Sequence, residues 1–258
     1  MSEHFQVKHN EIMKNHISEK RWAEGLVDHE IHKGVWICAP EGTPPDPHIH
    51  PDFNEWWVAL DGKTRWQIGQ YEPALAQWGD LIMAPAGFSH DIRPWDGETW
   101  VRFGVSKPGC NHDIKGVEPC RLIPIETDLN NPNLIHTKFN VIKNNYDNSE
   151  YWTHKAIDDE RNSGTYIHLT ANEEIEIKEE TYNNAWFILL EGKVDCYDEN
   201  NKLLYNSNKG DLVYLPTKTS SKILNVSDSS SYIILIRAKK SLQEANYGKR
   251  IQFWMYKM

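Results

Sequence analysis

The sequence predicts an all-β chain folded into two similar units, with short helices near the termini. Short runs of β-forming residues, each bounded by Gly, Pro or Asp, fill most of the chain from about residue 34 onward. Helical spacing of apolar residues is confined to the two ends, and the strand pattern of the first half recurs in the second. Closely spaced short strands with no helical pattern between them are typical of antiparallel sandwiches and barrels.

The first half begins with a predicted short helix over residues 10–24, NEIMKNHISEKRWAE. Six strand-like runs follow, each rich in β-branched, aromatic or other apolar residues. These runs are GVWICA, EWWVAL, TRWQIG, DLIMAP, HDIRPW and TWVRFGV. We therefore assign residues 1–127 to a first β unit.

Residues 128–150 have a different composition, because DLNNPN and KNNYDNSE are rich in Asn and Asp and poor in core-forming residues. Such a segment is typical of a connector. Strand-like runs resume after it and define a second unit over residues 151–258. These runs are TYIHLT, EIEIKE, AWFILLEG, KVDCYD, DLVYLP and SYIILIRA. A second short helix is predicted over residues 239–248, and the aromatic tail 251–256 is expected to add a strand.

An internal repeat relates the two units. Trp57–Lys63 reads WVALDGK and Phe187–Lys193 reads FILLEGK, at an offset of 130 residues. After each Gly turn, a Gly-Asp-apolar-Pro segment follows, at Gly79–Pro85 and Gly210–Pro216. Two matches in the same order and at nearly the same interval indicate an internal duplication.

Composition and charge exclude several classes of protein. The net charge is −9 and no block of Lys or Arg is longer than a pair, which argues against a nucleic-acid partner. No apolar run approaches the ~20 residues of a membrane-spanning helix, and the first twenty residues hold no apolar stretch of signal-peptide type. Four cysteines in 258 residues are no disulfide framework. Together these features predict a cytoplasmic protein with reduced thiols.

Three histidines and a glutamate in the first unit form a candidate metal site. His48 and His50 project from the same face of a strand, because side chains alternate along it. Glu55 opens the next strand after a short turn, and His90 ends the segment that begins at Gly79. Neutral imidazoles with one carboxylate suit a divalent first-row metal. A lone His-x-His pair is more often a surface or core pair, but Glu55 and His90 in order favour the metal site.

These residues carry a resemblance to a known family. PHIHPDFNE, followed by Gly62, resembles the first cupin motif, and Gly79–His90, GDLIMAPAGFSH, resembles the second. The resemblance directly covers residues 34–106, and the repeat extends it, so the chain is similar to a bicupin. It implies two jelly-roll β-barrels, a metal site inside the first, and His48, His50, Glu55 and His90 as the metal ligands.

The second unit departs from this pattern. At the offsets of the repeat, the ligand positions are occupied by Lys178, Glu180, Ala185 and Ser221. These side chains cannot hold a transition metal as imidazoles do. The second unit is therefore expected to lack a metal and to serve packing, dimerisation or closure of the first site, with a metal-free ligand pocket as the alternative.

Four further residues are candidates for substrate contacts. Trp57 shares a strand face with Glu55, and we expect it to line the site or to fill the core. Arg65 and Gln67 share one face of the next strand; they enter the cavity if Trp66 and Ile68 pack outside, and face solvent otherwise. Arg102 faces the site in one of the two orientations of its strand, where it would pair with a carboxylate. Arg93 is expected to face away.

The function predicted from the resemblance is an Fe(II)-dependent dioxygenase acting on a small aromatic or anionic metabolite. Zn(II), Mn(II) and Ni(II) are the alternative metals, and with such a Lewis acid Glu55 would serve as catalytic base. The second hypothesis is accordingly a non-oxidative lyase, isomerase or cyclase. The third is a non-catalytic small-molecule binding or sensor module. A homodimer is expected, because sheet edges and apolar outer faces usually find a partner.

Overall fold

The computed structural model describes residues 4–29, 31–95, 99–110, 114–116, 126–178, 182–216 and 220–239. These residues divide into two compact units. The first unit runs from Lys20 to Phe139 and also includes Asp159–Arg161. The second unit combines the described N-terminal residues up to Glu19 with Asn140–Asp158 and with the described residues from Asn162 to Lys239.

Strands dominate the described residues, and both helices are short. In chain order the elements are β1 Phe5–Val7, α1 His9–Asn15, β2 Trp22–Asp28, β3 Lys33–Ala39, β4 His48–Ile49, β5 Glu55–Ala59, β6 Thr64–Ile68, β7 Ala74–Ala76, β8 Leu81–Ala84, β9 Ser89–Pro94, β10 Trp100–Ser106, β11 Ile114–Lys115, β12 His136–Thr137, α2 Phe139–Asn145, β13 Trp152–Asp158, β14 Asn162–Leu169, β15 Glu174–Ile177, β16 Tyr182–Glu191, β17 Lys193–Tyr197, β18 Leu203–Asn208, β19 Leu212–Pro216, β20 Ser221–Asn225 and β21 Ser231–Lys239. The predicted all-β fold class is confirmed.

Two antiparallel sheets build the first unit. One has the strand order β12-β8-β5-β10-β3-β2 and the other the order β11-β4-β9-β6-β7. The buried core between them takes residues from both sheets, namely Trp57, Ala59, Trp66, Ile68, Ala76, Ile82, Ala84 and Phe88. The unit is thus a jelly-roll sandwich, and its described strands form two separate sheets.

The second unit repeats this construction. Its sheets have the orders β1-β19-β16-β21-β14-β13 and β15-β20-β17-β18, and its core is almost entirely aliphatic. Equivalent positions pair in the same register. Glu55 lies opposite Ala84 in the first unit, and their counterparts in the repeat, Ala185 and Leu215, lie opposite each other in the second. The predicted repeat is therefore present in the strand pairing as well as in the sequence.

The leading strand of each repeat adds to the sheet of the other repeat. β1 pairs with β19 of the second unit, and β12 pairs with β8 of the first. The described residues up to Glu19 accordingly belong to the second unit, whereas the predicted boundary placed residues 1–127 together. The segment 128–150, predicted as a connector, contains β12 and α2.

The predicted N-terminal helix over residues 10–24 is too long. Helix α1 ends at Asn15, and strand β2 begins at Trp22, which lies opposite Cys38 of β3. Strand pairing therefore overrides the local helical preference in the second half of the segment. The predicted helix 239–248, apart from Lys239 at the end of β21, and the tail 251–256 lie outside the described residues.

Helices of membrane-spanning length and apolarity do not occur in the described part of the chain. Cys38 and Cys196 are free, buried thiols, and Cys120 is not among the described residues. Burial raises the pKa of Cys196 to about 12. This thiol is consequently an unreactive core side chain.

Candidate metal centre

Strand pairing brings the four predicted metal ligands together in the first unit. His48 in β4 lies directly opposite His90 in β9, and Glu55 opens β5. Directly opposed residues of an antiparallel pair project to the same side. The ring centroids of His48 and His90 are consequently 4.2 Å apart, and those of His48 and His50 are 5.0 Å apart.

The Glu55 carboxylate is the meeting point of the three imidazoles. Its Oε2 atom lies 3.0 Å from Nε2 of His50, 3.1 Å from Nε2 of His90 and 3.9 Å from Nε2 of His48. One potential ligand atom from each residue lies within 4.8 Å of all the others. All three histidines are buried, so the cluster lies in the interior of the unit.

Backbone carbonyls set the tautomers of two of these imidazoles. Nδ1 of His48 lies 2.6 Å from the Asp46 carbonyl oxygen, and Nδ1 of His90 lies 3.2 Å from that of Phe88. A carbonyl only accepts, so each Nδ1 carries the hydrogen and donates it. In the neutral rings the Nε2 lone pairs therefore face Glu55, as a metal-ligating histidine requires.

This donor set fits a divalent cation. Nε2 of the neutral His90 and Oε2 of Glu55 are both acceptors, yet they lie 3.1 Å apart. Such a pair is stable only with a positive charge between its members. Ligands of one first-row ion at about 2.1 Å lie within about 4.2 Å of each other, so the cluster needs to contract by only about half an ångström. His48, His50, Glu55 and His90 would hold the ion.

The charge states of the cluster favour the same conclusion. Burial alone raises the pKa of Glu55, but its close contacts with His48, His50 and His90 hold that pKa well below its usual range. Burial lowers the pKa of His90, against the opposing charge of Glu55. At neutral pH the site thus offers an ionised carboxylate and a neutral imidazole, the forms in which these groups bind metals.

Neighbouring residues that the sequence did not single out hold the ligand segments in place. The Asn54 side chain accepts a hydrogen bond from the Ala86 N–H at 3.0 Å, and Gly87 N–H donates to the His50 carbonyl at 2.8 Å. Phe53, which is 1% exposed, packs on the His50 ring with centroids 4.4 Å apart. The two hydrogen bonds join residues 32 and 37 positions apart, so no local sequence pattern could identify them.

Trp57 lies beside the cluster, on the strand face predicted for it. Its ring centroid is 5.4 Å from that of His90, and its side chain is 2% exposed. Gly104 lies opposite it in β10, where an added Cβ would come within 3.0 Å of Trp57 Cδ1. The absence of a side chain at Gly104 therefore makes room for the indole.

Arg65 and Gln67 do not enter the interior, so that prediction is wrong. Trp66 and Ile68 belong to the core cluster with Trp57, and alternation along β6 directs the two polar residues to the opposite face. The Gln67 amide instead donates to two backbone carbonyls of the following turn, at 2.9 and 2.7 Å. The core selects the apolar face of β6, and this settles the orientation that the sequence left open.

Arg102 shares the interior strand face. It lies opposite Ala59, a core residue of β5, and opposite Ile37 of β3. Its Cζ atom is 3.8 Å from the centre of the Trp100 ring. Burial lowers the pKa of Arg102 to about 9, although the charge of Glu55 acts in the opposite direction. The guanidinium is therefore still cationic at neutral pH.

The second unit has no equivalent cluster among its described residues. Ala185 and Ser221 occupy the positions of Glu55 and His90, as predicted, and both are buried. Glu180, the predicted counterpart of His50, is outside the described residues. The side chains described there offer no imidazole and no carboxylate in place of Glu55 and His90.

The counterpart of His48 is corrected by one residue. The pair His48 and His90 corresponds in the second unit to Ile177 and Ser221, which lie opposite each other. The sequence offset had placed Lys178 there, but a one-residue shift between the repeats changes the strand face. Ile177 belongs to the aliphatic core, so hydrocarbon fills this position.

Comparison with known proteins yields matches to solved structures only; no protein-family model and no curated protein matches the sequence. A cupin 2 conserved barrel domain protein from Leptotrichia buccalis superposes with a TM-score of 0.65 at 11% identity, over 91% of this chain and 96% of that one. Salicylate 1,2-dioxygenase from Pseudaminobacter salicylatoxidans matches with a TM-score of 0.67 at 11% identity, over 96% and 87% of the two chains.

A third match is a deletion mutant of Bacillus subtilis oxalate decarboxylase. Its TM-score is 0.55 at 15% identity, over 85% of this chain and 73% of that one. Identities this low establish a shared fold and leave the chemistry to be argued from the site itself. The matches therefore show that the chain shares the fold of cupin proteins over most of its length.

Proposed function

We propose that the first unit is a metal-dependent dioxygenase that acts on a small aromatic or anionic metabolite, with Fe(II) as its metal. The observation that carries this proposal is the convergence of His48, His50, Glu55 and His90. Three imidazoles and one carboxylate suit Fe(II) and leave positions open for other ligands. The fold matches include a salicylate 1,2-dioxygenase variant in complex with gentisate, which supports an aromatic anion as substrate.

The residues of the chain have separate roles in this proposal. Bound Fe(II) would supply the redox chemistry and a place where the substrate and dioxygen meet. The imidazoles would hold the cation without adding charge, and Glu55 would offset one of its positive charges. Trp57 closes the interior beside His90 and keeps bulk water from that side, since its ring is almost fully buried.

A non-oxidative metalloenzyme is the second candidate. Zn(II), Mn(II) or Ni(II) in the same ligand set would act as a Lewis acid in a lyase, isomerase or cyclase. The accessibility of Glu55 favours this candidate, because its side chain, 17% exposed, is the least buried of the four ligands and offers a carboxylate as a base. Another fold match is named an oxalate decarboxylase.

Metal analysis is the first test. Protein purified without added metal is expected to contain about one iron per chain by elemental analysis. The double variant His48→Ala, His90→Ala is expected to lose the metal and remain folded, while the exposed histidine variant His4→Ala retains it. Unchanged metal content in the double variant would contradict the site assignment.

Oxygen uptake separates the candidate functions. Iron-loaded protein is expected to consume dioxygen with one member of a panel of hydroxybenzoates, catechols, aminophenols, thiols and keto acids. Turnover by zinc- or nickel-loaded protein without oxygen uptake would support the Lewis-acid enzyme. Ligand-induced thermal stabilisation with no turnover under any metal would identify a binding or sensor module.

The remaining expectations are proposals about the protein in solution. We propose that the chain forms a homodimer in the cytoplasm and that residues 1–127 and 151–258 form its two domains, joined by 128–150. Light scattering measures the mass directly, and a monomeric mass of 30.1 kDa would contradict the dimer. Fractionation of the native cells tests the location.

A further inference from the structure

We propose that Arg102 binds a carboxylate group of the substrate, so that the site selects small organic acids over their neutral analogues. The inference rests on the proposed function, in which the first unit binds a small metabolite, and narrows its substrate class. A guanidinium presents a planar fork of donors that matches the two oxygens of a carboxylate. The sequence had left Arg102 with two orientations, and strand pairing selects the interior one.

Two donor atoms of Arg102 are buried and lack an acceptor within the described residues. Its Nε and Nη1 atoms are buried without a hydrogen-bond partner, and so is Nε1 of Trp100, the indole on which the guanidinium lies. Among the described side chains, Arg102 has no ion pair with a carboxylate. Burying a cation without a partner is costly, and an anionic ligand on these donors would remove that cost.

The second unit provides an internal comparison. Arg102 lies opposite Ala59 and Ile37, and the equivalent position in the second unit is Ile233, opposite Leu189 and Ile167. That isoleucine is 0% exposed and belongs to the aliphatic core. The fold thus accepts hydrocarbon at this position. The arginine occurs in the unit that also carries the metal cluster, which indicates a role in binding rather than in packing.

Charge balance at the site leads to the same ligand. A divalent cation contributes two positive charges, the ionised Glu55 removes one, and Arg102 adds one. With neutral imidazoles, the interior then carries two net positive charges, in a low-dielectric environment that strengthens every electrostatic interaction. A ligand with a carboxylate and an ionised oxygen for the metal would balance the charge. A neutral ligand would leave it uncompensated.

The test compares two probes of nearly the same shape, one with a carboxylate and one with a neutral amide in its place. Salicylate and its neutral amide, salicylamide, are titrated into the zinc-loaded full-length protein by calorimetry, because zinc binds the same donors without oxygen chemistry. Wild type is expected to bind salicylate at least about tenfold more tightly than salicylamide, the size of a charge-assisted hydrogen bond. In Arg102→Met the ratio of the two affinities, salicylate over salicylamide, is expected to fall to within about threefold, with zinc content unchanged.

Controls make each outcome decisive. Arg93→Met changes an arginine that faces away from the site, is 48% exposed and donates to Asp91 at 2.7 Å, so its ratio is expected to equal that of wild type. Arg102→Ile introduces the residue of the second unit and serves if the methionine variant misfolds. A ratio near one in wild type, or an unchanged ratio in both Arg102 variants, would overturn the inference.

The same titrations distinguish this inference from the proposed function. The probes are also titrated into metal-free protein, where Arg102 still provides its donors, so failure of the protein to bind zinc leaves the comparison valid. Loss of discrimination in the Arg102 variants without any oxygen uptake in the iron-loaded enzyme would reject the dioxygenase and retain the carboxylate site. Oxygen uptake by the iron-loaded enzyme, together with unchanged discrimination in the Arg102 variants, would retain the dioxygenase and reject the carboxylate site.

Discussion

At the scale of single residues, the metal centre depends on which nitrogen of each imidazole carries hydrogen. For His48 and His90 this is decided by the carbonyls of Asp46 and Phe88, which are backbone groups present at every position. The sequence shows the four ligands through their spacing, but nothing in it marks these carbonyls. The amide of Asn54, which holds the turn before β9, is hidden for the same reason.

Gly104 is the residue whose replacement tests the packing beside the metal centre. In Gly104→Ala the new methyl group would lie 3.0 Å from Trp57 Cδ1 and 3.1 Å from Trp57 Nε1. The indole has to shift, which is expected to cost about 1–3 kcal/mol of unfolding free energy. Urea denaturation measures the loss, and tryptophan emission reports the movement of the ring.

Gly25→Ala in β2 is the matched control, because a Cβ built there meets nothing within 4 Å. Its unfolding free energy is expected to lie within about 0.5 kcal/mol of wild type. Equal stability of the Gly104 and Gly25 variants would show that Trp57 adapts to the methyl group without strain.

At the scale of elements, the repeated Gly-Asp motif has a structural role that its sequence did not reveal. Asp80 accepts a hydrogen bond from the N–H of Phe139, the first residue of α2, at 2.9 Å. Asp211 accepts the corresponding bond from His9, the first residue of α1, at 3.0 Å. Each aspartate thus holds the start of a helix to the turn before β8 or β19. The repeat was evident from the sequence, but partners 59 and 202 residues away were not.

Asp80→Ala tests this role. The substitution leaves the buried Phe139 N–H without an acceptor and removes the contact of Asp80 with His136, at 2.9 Å. We expect it to lower the free energy of unfolding by about 1–3 kcal/mol, measured by urea denaturation. The exposed Asp28→Ala is expected to be nearly neutral, and equal losses in the two variants would contradict the role.

At the scale of the whole molecule, two units with one topology have interiors of different chemistry. The first has a histidine and glutamate cluster together with Arg102, and the second has Ile177, Ala185 and Ile233 at the matching positions. The repeat offsets placed Ala185 and Ser221 at the positions of Glu55 and His90, and the strand pairing agrees. The match of His48 to Lys178 failed, because a one-residue shift between the repeats is visible only in the strand pairing.

One pair of substitutions at equivalent positions, His48 and Ile177, tests the difference in chemistry between the two interiors. His48→Ala is expected to weaken metal binding strongly. Ile177→Ala is expected to lower the free energy of unfolding by about 2–5 kcal/mol through the cavity that it leaves, with metal content unchanged. Chelator titration and urea denaturation on both variants provide the two readouts. Loss of metal in the Ile177 variant would mean that metal binding by the first unit depends on the core of the second.

The exchange of leading strands has a consequence for how such a chain arose and how it can be divided. A polypeptide starting at residue 151 would lack β1 and expose the edge of β19, whereas one ending at residue 127 would lack β12 and expose β8. Bare edges invite association. An ancestor with a single copy of the repeat would cover this edge by exchanging leading strands with a second copy of itself. Fusion of two such genes would place both exchanged strands in one chain.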